Sequence, residues 1–359
     1  HRDLHSFPTR RSSDLACANN LKQWGLILKM YAGESKGYYP DLQRLLPGFD
    51  NNLLGVDMRS IYPEYLTDPM IISCPSDPHA ENNAYDANIL ELEEGMTAIR
   101  TLMDRGVANF NCMLTHLSYP RSYVYFGYAL THGATARLAF RSNEYGNTGV
   151  RDFFEGGDVG ILKLELGPGC PYAEGQPNEA TYEDAGKTWT GAYEIPPGMR
   201  EDYGNRGINK DHAQAFTGDD VNLTYVTGSK LVERAVGFDS YGNPILGPDT
   251  VYHLREGIER FLIADINSPG ASSIAESEIP AMCDSWGAVR KVNGEDSAAQ
   301  AAPAFNHVPG GANALFLDGH AEYMRYVQNG GRFPVQSLGE PFPQKVQIWD
   351  SYLLEGTAG

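Results

Sequence analysis

Three side chains of the kinds that bind metal ions lie close together near the C-terminal end of the sequence. They are His307, Asp318 and His320, in the stretch FNHVPGGANALFLDGHAEYMRY that runs from Phe305 to Tyr326. Imidazole nitrogens and carboxylate oxygens are ligands of zinc, and carboxylates are also ligands of calcium. A metal site formed by these three residues is therefore one hypothesis for the stretch.

The same stretch has the pattern of a β-hairpin. Residues 314–317 are apolar, and residues 320–326 alternate in the manner of a returning strand. Asp318-Gly319 between them is typical of a two-residue type I′ turn, which needs φ > 0 at both positions. In this interpretation the dipeptide forms a turn and the histidines are capping or surface residues. The sequence leaves the metal and turn interpretations open.

A two-residue turn also predicts the register of the hairpin. Leu317 would then face His320, and Phe316 would face Ala321. Upstream, a Pro-Gly-Gly run interrupts the chain just after His307. This break predicts that His307 lies on a loop or strand end near the open side of the hairpin.

The N-terminal part of the chain predicts a helix that would pack against the hairpin. Leu21, Trp24, Leu28 and Tyr31 recur with helical spacing and form one apolar stripe. The helix is expected to end near Gly33, because glycine commonly terminates helices. We therefore expect Trp24 to pack on a sheet that contains the hairpin strands.

Several other segments have the patterns of short elements. Strands are predicted at 122–130, 260–266 and 280–284, and helices at 41–46, 87–104 and 250–259. Together with the hairpin, they predict an α+β fold in which the N-terminal helix covers one face of an antiparallel sheet. Asp265 and Asp284 would lie at or near strand ends. There they either converge with the hairpin or simply cap a strand.

The N-terminal part of the sequence resembles a known family. CANNLKQWGLILKMYAGESKGYYP, from Cys17 to Pro40, is similar to the segment that follows the hydrophobic helix in prepilin-type proteins of planctomycetes and verrucomicrobia. Those proteins are related to type II secretion and type IV pilin subunits. Residues 74–77, 123–128 and 279–284 fit the same family pattern.

The C-terminal motif of that family is a His followed at a short distance by Asp-Gly. Its counterparts in this chain are His307, Gly310, Gly311, Asp318 and Gly319. Ten residues separate His307 from Asp318, which is one residue more than the usual spacing of the motif.

The resemblance implies a pilin-like fold and a role in assembly or secretion, and composition adds to that fold a large loop-rich insertion. It implies an inner-membrane anchor, with the globular domain in the periplasm or at the cell surface, and other pilin-like subunits as partners through an N-terminal apolar helix. Residues 1–15, HRDLHSFPTRRSSDL, do not fit this plan. We expect them to be a non-native, adaptor-derived segment that stands in place of the leader and most of the apolar helix.

Composition divides the rest of the chain into three parts. Residues 16–132 hold the N-terminal helix and the first part of the pilin-like domain, and residues 250–359 hold its C-terminal part with the hairpin. Residues 133–249 are rich in Gly, Asn, Asp, Glu and Tyr and have short apolar runs. This middle part is predicted to be an acidic insertion with short strands and surface loops of its own.

The spacing of the cysteines does not indicate a zinc finger, and in an exported protein their odd number would leave at least one thiol free. The chain has five cysteines, none in a CxxC pair: Cys17, Cys74, Cys112, Cys170 and Cys283. The resemblance implies a disulfide between Cys17 and Cys74, and the alternative is two separate buried thiols. A bridge over 57 residues would stabilise the fold by about 4 kcal/mol. Cys283, within an apolar run, is interpreted as a small core residue.

Net charge narrows the range of partners. The formal charge of −18 argues against nucleic acid, whose phosphates would be repelled. An acidic surface fits an exported protein and is compatible with calcium, although no acidic cluster has EF-hand spacing. The chain has no GxSxG, phosphate-loop, HExxH or dinucleotide-binding motif, so the sequence predicts no organic cofactor.

Three classes of function are consistent with these observations. The leading hypothesis is a non-enzymatic, pilin-like or pseudopilin-like structural subunit. The second is a metal-dependent hydrolase that uses His307, Asp318, His320 and Asp284, which requires three ligands and an open coordination position. The third is a surface module in which the Tyr-rich insertion binds polysaccharide or another protein.

Overall fold

The structure is a computed structural model that describes residues 6–44, 52–77, 92–104, 110–118, 122–139, 182–184, 187–189, 221–222, 235–262, 274–288, 291–292, 295–296, 303–307, 310–328 and 330–337. The α-helices are Ser6–Glu34 (α1), Met58–Ile61 (α2), Leu92–Asp104 (α3), Phe110–Ser118 (α4) and Gly133–Ala139 (α5). Short 3-10 helices occupy Pro69–Ile72, Ile258–Phe261 and Glu276–Glu278.

The β-strands are short and pair in antiparallel fashion. In chain order they are Leu42–Arg44 (β1), Asn52–Val56 (β2), Tyr123–Tyr125 (β3), Tyr182–Asp184 (β4), Lys187–Trp189 (β5), Val221–Asn222 (β6), Ala235–Phe238 (β7), Pro244–Leu246 (β8), Thr250–Val251 (β9), Pro280–Asp284 (β10), Trp286–Ala288 (β11), Lys291–Val292 (β12), Glu295–Asp296 (β13), Pro303–Phe305 (β14), Gly311–Phe316 (β15) and Ala321–Arg325 (β16). The described part of the chain therefore has a mixed α+β fold, as the sequence predicts.

One four-stranded antiparallel sheet organises the fold. Its strand order is β16-β15-β10-β3, and Cys283 on β10 pairs with Ala314 on one side and with Val124 on the other. Every residue of β10 and β15 is buried, so both faces of the middle of the sheet are covered. The edge strand β16 is less buried, since Met324 alone among its five residues is buried.

Helix α1 covers one face of this sheet, as the apolar stripe predicts. Leu21, Trp24 and Leu28 are buried, Tyr31 is half-buried and Gln23 is exposed. The helix begins at Ser6, before the apolar stripe, and it ends at Glu34, next to the predicted stop.

A glycine allows α1 to approach the sheet closely. A β-carbon built on Gly25 would lie 2.9 Å from the Cδ1 atom of Leu315 on β15. A side chain at this position would require the buried Leu315 side chain to move, because real β-carbons do not approach other heavy atoms so closely. Gly25 therefore leaves room for Leu315 between α1 and the sheet.

The hairpin exists, but its predicted turn and register are wrong. Leu315, rather than Phe316, pairs with Ala321, and the Phe316 N–H donates to the His320 carbonyl. The loop has three residues, because Gly319 N–H donates to the Phe316 carbonyl and Gly319 alone in the loop has positive φ, at 91°. This is a type I turn followed by a G1 bulge.

The physical reason for the longer loop is a bond to a neighbouring segment. The N–H of Leu317 donates to the carbonyl of Ile279, at 3.0 Å, and the Leu317 side chain is buried. In a two-residue turn, Leu317 would exchange hydrogen bonds with His320 instead. Because its N–H is bonded to Ile279, on the side of the sheet that faces β10, Leu317 does not pair with His320 in the hairpin.

The predicted helix at 250–259 is also wrong. Val251, Leu254 and Ile258 are buried, as its helical spacing suggested, but the segment is extended up to a 3-10 helix that begins at Ile258. Leu254 N–H donates to Gly127 O at 2.9 Å, and its carbonyl accepts from Tyr39 N–H at 2.9 Å. Hydrogen bonds to segments distant in sequence thus hold this backbone in an extended conformation.

Other predicted elements are confirmed in part. Strand β10 matches the prediction at 280–284, β3 occupies the first half of 122–130, and α3 accounts for the described part of the helix at 87–104. The predicted helix at 41–46 is instead strand β1. Of the strand predicted at 260–266, residues 260 and 261 are in a 3-10 helix, and Asp265 lies outside the described residues.

Most of the predicted insertion at 133–249 lies outside the described residues. Its first described element, α5, places Ala134 and Ala136 in the main hydrophobic core. Strand β6 pairs with β9, which belongs to the segment after the insertion. In the described part of the chain, no helix has both the length and the apolar character needed to cross a membrane.

Candidate functional site

The three residues of the predicted metal site are divided between the two ends of strand β15. His307 forms a β-bridge with Gly311 at the start of the strand, and its ring lies 3.0 Å from the Asn313 amide. Asp318 and His320 lie beyond the other end, in the hairpin loop. Asn313 and Phe316 are three residue steps apart along β15, a distance of about 10 Å. His307, Asp318 and His320 therefore do not form one ligand set, and the hydrolase hypothesis loses the arrangement on which it depended.

Asp318 and His320 form a local pair at the tip of the hairpin. Asp318 Oδ1 accepts from the His320 backbone N–H at 3.0 Å and lies 2.5 Å from His320 Nδ1. The His320 ring stacks on Phe316 with centroids 4.5 Å apart. Partial burial raises the pKa of Asp318, but the two hydrogen bonds from His320, with the charges of His320 and Lys29, more than offset this and hold the pKa below its ordinary value. The tip thus shows a capped turn.

Replacing this carboxylate tests the turn interpretation. We expect Asp318→Asn to change the free energy of unfolding by less than about 1 kcal/mol, because an amide oxygen still caps His320 N–H and an exposed ion pair contributes little. Because the pKa of Asp318 is lowered in the folded state, its small contribution is present at neutral pH and is lost on acidification. Urea unfolding at pH 7, with calcium, with zinc and with a chelator, measures the effect.

A matched variant at the next residue sharpens this test. Gly319→Ala should destabilise the hairpin by about 1 kcal/mol or more, because alanine is strained at φ 91°. An ion-dependent stabilisation of the oxidised wild type that disappears in Asp318→Asn would show that the tip is a metal site instead.

A second polar cluster lies in the interior of the protein. His307 Nε2 lies 2.7 Å from Asp284 Oδ2, and both side chains are buried. The same carboxylate oxygen accepts from the backbone N–H of Asn313 at 2.7 Å and from its side-chain amide at 2.8 Å. We call these three residues the buried triad. Hydrogen bonds to a buried carboxylate are stronger than those between neutral groups, so the triad ties β10 and β15 to the segment that precedes β15.

The Cys17–Cys74 disulfide lies against the buried triad. Its two α-carbons are 5.1 Å apart, and Cys74 Sγ lies 3.9 Å from His307 Nε2. This is the cysteine pair that the family resemblance implies. Cys17 is on α1, and Cys74 follows the 3-10 helix Pro69–Ile72. The disulfide therefore joins the helix and this connection directly above the residues that link β10 to β15.

Neighbouring hydrogen bonds hold the same two segments together. Asn20 Nδ2, one turn after Cys17, donates to the Ser73 carbonyl at 3.0 Å. Trp24 Nε1, one further turn along, donates to the Ile71 carbonyl at 3.3 Å. Three successive turns of α1 thus contact residues 71–74. These contacts hold Cys74 in its position beside the buried triad.

The cluster has one carboxylate oxygen without a hydrogen bond. Asp284 Oδ1 is buried and has no hydrogen-bond partner among the residues that the structure describes. Tyr123, which pairs with Asp284 across β3 and β10, is buried as well. Burial, with the charge of Asp284 as a further cause, raises the pKa of Tyr123 well above its ordinary value, so its phenol stays neutral.

With the disulfide formed, Cys17, Cys74 and the buried triad have a structural role. The cysteine sulfurs are bonded to each other, so neither is a nucleophile. Burial raises the pKa of the neighbouring Cys283 thiol well above its ordinary value, with the charge of Asp284 contributing, so this cysteine is not a nucleophile either. Its interpretation as a small core residue agrees with its complete burial.

Sequence reasoning missed Asn313, although it placed Asp284 in one candidate set with His307 and left open that Asp284 converges with the hairpin. The available signal was a polar amide within a strand that is otherwise apolar from Ala312 to Leu317. A buried amide needs partners, so Asn313 should have been expected to bind another polar group. Which group it binds depends on the sheet order, and the sheet order is not visible in the local sequence.

A comparison with protein-family models finds no match for this chain, and comparisons with curated proteins and with solved structures find no significant similarity.

Proposed function

We propose that this protein is a pilin-like structural subunit of a secretion or surface-filament system, without enzymatic activity. In this proposal it works in the cell envelope, anchored in the inner membrane, with its globular domain in the periplasm or at the cell surface. Its partners are other pilin-like subunits and not nucleic acid. The proposal rests on the family resemblance and on the way α1 is placed in the fold.

The observation that carries the proposal is the exposed face of α1. The face with Trp24 is buried on the sheet, whereas Leu26 and Met30 on the other face are 64% and 47% exposed. A solvent-facing helix side normally carries polar residues. Apolar residues there are consistent with a helix that contacts the helices of neighbouring subunits after assembly.

The disulfide is consistent with the proposed location. Buried disulfides persist in oxidising compartments such as the periplasm and the cell surface, and are rare in the cytosol. Cys17–Cys74 fixes α1, near its middle, to the globular part of the protein. During assembly, a force on such a subunit would act on its N-terminal helix. The covalent link would keep this helix attached to the globular part.

Cysteine cross-linking tests the proposed contact. Leu26→Cys and Met30→Cys, introduced singly into the complete gene in its own host, should give a ladder of covalent multimers with a short bismaleimide. The matched control is Ile245→Cys, which is 51% exposed on β8 and lies outside α1. The unsubstituted protein measures the background from its own thiols.

We expect multimers from the two α1 positions and monomers from the control. If the α1 positions give no more multimer than Ile245→Cys, the helix face does not contact other subunits and the proposal is wrong. Calcium is tested in the same experiment by adding a chelator, because an acidic protein assembled through calcium would lose its multimers.

A further inference from the structure

We propose that reduction of the Cys17–Cys74 disulfide creates a buried zinc site with Cys17, Cys74 and His307 as ligands. Asp284, which lies beside His307, becomes the fourth ligand when its carboxylate moves toward the two sulfurs. The site lies between α1 and the central sheet. It is separate from the hairpin tip, and it does not depend on assembly with other subunits.

The first argument is the convergence of the ligand atoms. One ligand atom each from Cys17, Cys74 and His307 lies within 4.8 Å of the other two, and all three residues are buried. Thiolates and imidazole are the ligands that zinc prefers in closed tetrahedral sites. The three residues come from parts of the chain that are distant in sequence, so the fold itself brings them together.

The second argument is that the spacing already approaches that of a zinc site. With Zn–S bonds of about 2.3 Å and Zn–N bonds of about 2.0 Å, tetrahedral geometry places sulfur and nitrogen about 3.6 Å apart, and two sulfurs about 3.8 Å apart. Cys74 Sγ lies 3.9 Å from His307 Nε2. For the three converging residues, the main change needed is separation of the two sulfurs, which follows from breaking their bond. In addition, His307 Nε2 must exchange its contact with Asp284 Oδ2 for the metal.

The third argument concerns Asp284. Its Oδ1 atom is buried without a hydrogen bond in the described structure, whereas Oδ2 accepts two hydrogen bonds from Asn313. A bound cation would satisfy Oδ1 and would offset the negative charge of the carboxylate. Asn313 would continue to orient the carboxylate through Oδ2, as residues behind the ligands do in known metal sites.

Formation of the zinc site takes two chemical steps, reduction of the disulfide and binding of the metal. A water-soluble phosphine reduces the disulfide: the sulfur–sulfur bond breaks, phosphorus is oxidised to the phosphine oxide with an oxygen atom from water, and two thiols form. Zn²⁺ then replaces the two thiol protons. It also replaces any proton held between His307 Nε2 and Asp284 Oδ2, so that the imidazole nitrogen can donate its lone pair to the metal.

Cobalt provides a direct probe, because Co²⁺ substitutes for Zn²⁺ and its absorption reports thiolate ligands and tetrahedral geometry. The full-length chain is reduced with the phosphine under nitrogen, the phosphine is removed, and Co²⁺ is added. We expect one Co²⁺ per chain with thiolate-to-cobalt absorption, displaced by Zn²⁺. The untreated, oxidised protein should show no such absorption.

Matched variants assign the ligands. Cys283→Ser removes a buried thiol outside the proposed set and should leave the cobalt spectrum unchanged. Cys74→Ser should remove about half of the thiolate absorption or abolish binding, and His307→Gln should weaken Co²⁺ binding at least tenfold. Far-ultraviolet circular dichroism identifies any variant that fails to fold, and for such a variant the reduced wild type in urea serves as the unfolded reference.

Three results would overturn the proposal. They are equal cobalt absorption in the oxidised and reduced proteins, loss of the absorption in Cys283→Ser, and reduced wild-type protein that binds Co²⁺ as well in urea as in buffer. The last result would show that the thiols bind metal without the folded site.

Discussion

Trp24→Asp is expected to abolish cooperative folding of this protein. Trp24 is 2% exposed between α1 and the central sheet, and its indole N–H donates to the Ile71 carbonyl. Truncating a buried tryptophan costs about 3–5 kcal/mol, and a carboxylate without a partner in the same place costs several kcal/mol more. This sum is comparable to the whole stability of an ordinary domain, about 5–15 kcal/mol.

A neighbouring position on the same helix separates burial from other effects of the substitution. Gln23→Asp introduces the same side chain one residue earlier, on the exposed face. We expect it to change the free energy of unfolding by less than about 1 kcal/mol. Urea unfolding followed by circular dichroism distinguishes the two variants. A soluble Trp24→Asp protein with a normal cooperative transition would refute the placement of α1 on the sheet.

Loss of the disulfide has the second largest expected effect. The double variant Cys17→Ala/Cys74→Ala opens a loop of 57 residues and should lower the free energy of unfolding by about 4 kcal/mol. The reason is that the unfolded chain gains conformational freedom when the cross-link is removed. Guanidinium unfolding of the oxidised wild type and of the double variant gives the difference.

Cys283→Ala is the matched control for this measurement. Cys283 is as buried as the bridged cysteines but is not cross-linked, so the variant loses packing alone, at about 1 kcal/mol. The loss in free energy of unfolding in the double variant is compared with the loss in Cys283→Ala. If the first is no more than about twice the second, the disulfide contributes nothing beyond the packing of its two sulfurs. Chelator is present throughout, so that metal binding by free thiols does not contribute.

Local sequence predicted the elements whose pattern of apolar residues records which side chains are buried. The stripe in α1 repeats every three to four residues, and burial of Leu21, Trp24 and Leu28 against the sheet is the consequence of that repeat. The apolar run at 280–284 likewise became β10. The helix was predictable because its periodicity records the side that must avoid water, and β10 was predictable because a short continuous apolar run is typical of a strand that is buried on both faces.

The segment at 250–259 shows where such patterns fail. Its apolar residues have helical spacing and are buried, yet its backbone is extended, because its polar groups bond to Gly127 and Tyr39 rather than to one another. Helix and strand can both bury residues spaced in this way over a short segment. The choice was made by partners more than a hundred residues away along the sequence.

The sequence by itself determined that residues 314–326 belong to a hairpin with a glycine in the turn, and that a helix near the N-terminus packs on a sheet. Tertiary structure decided the details that matter for chemistry. Leu317 joined the loop because Ile279 binds its N–H, and His307 met Asp284 because β10 lies beside β15. Periodicity encodes which side chains are buried, whereas the choice of partner in the interior depends on strand order, which local sequence does not contain.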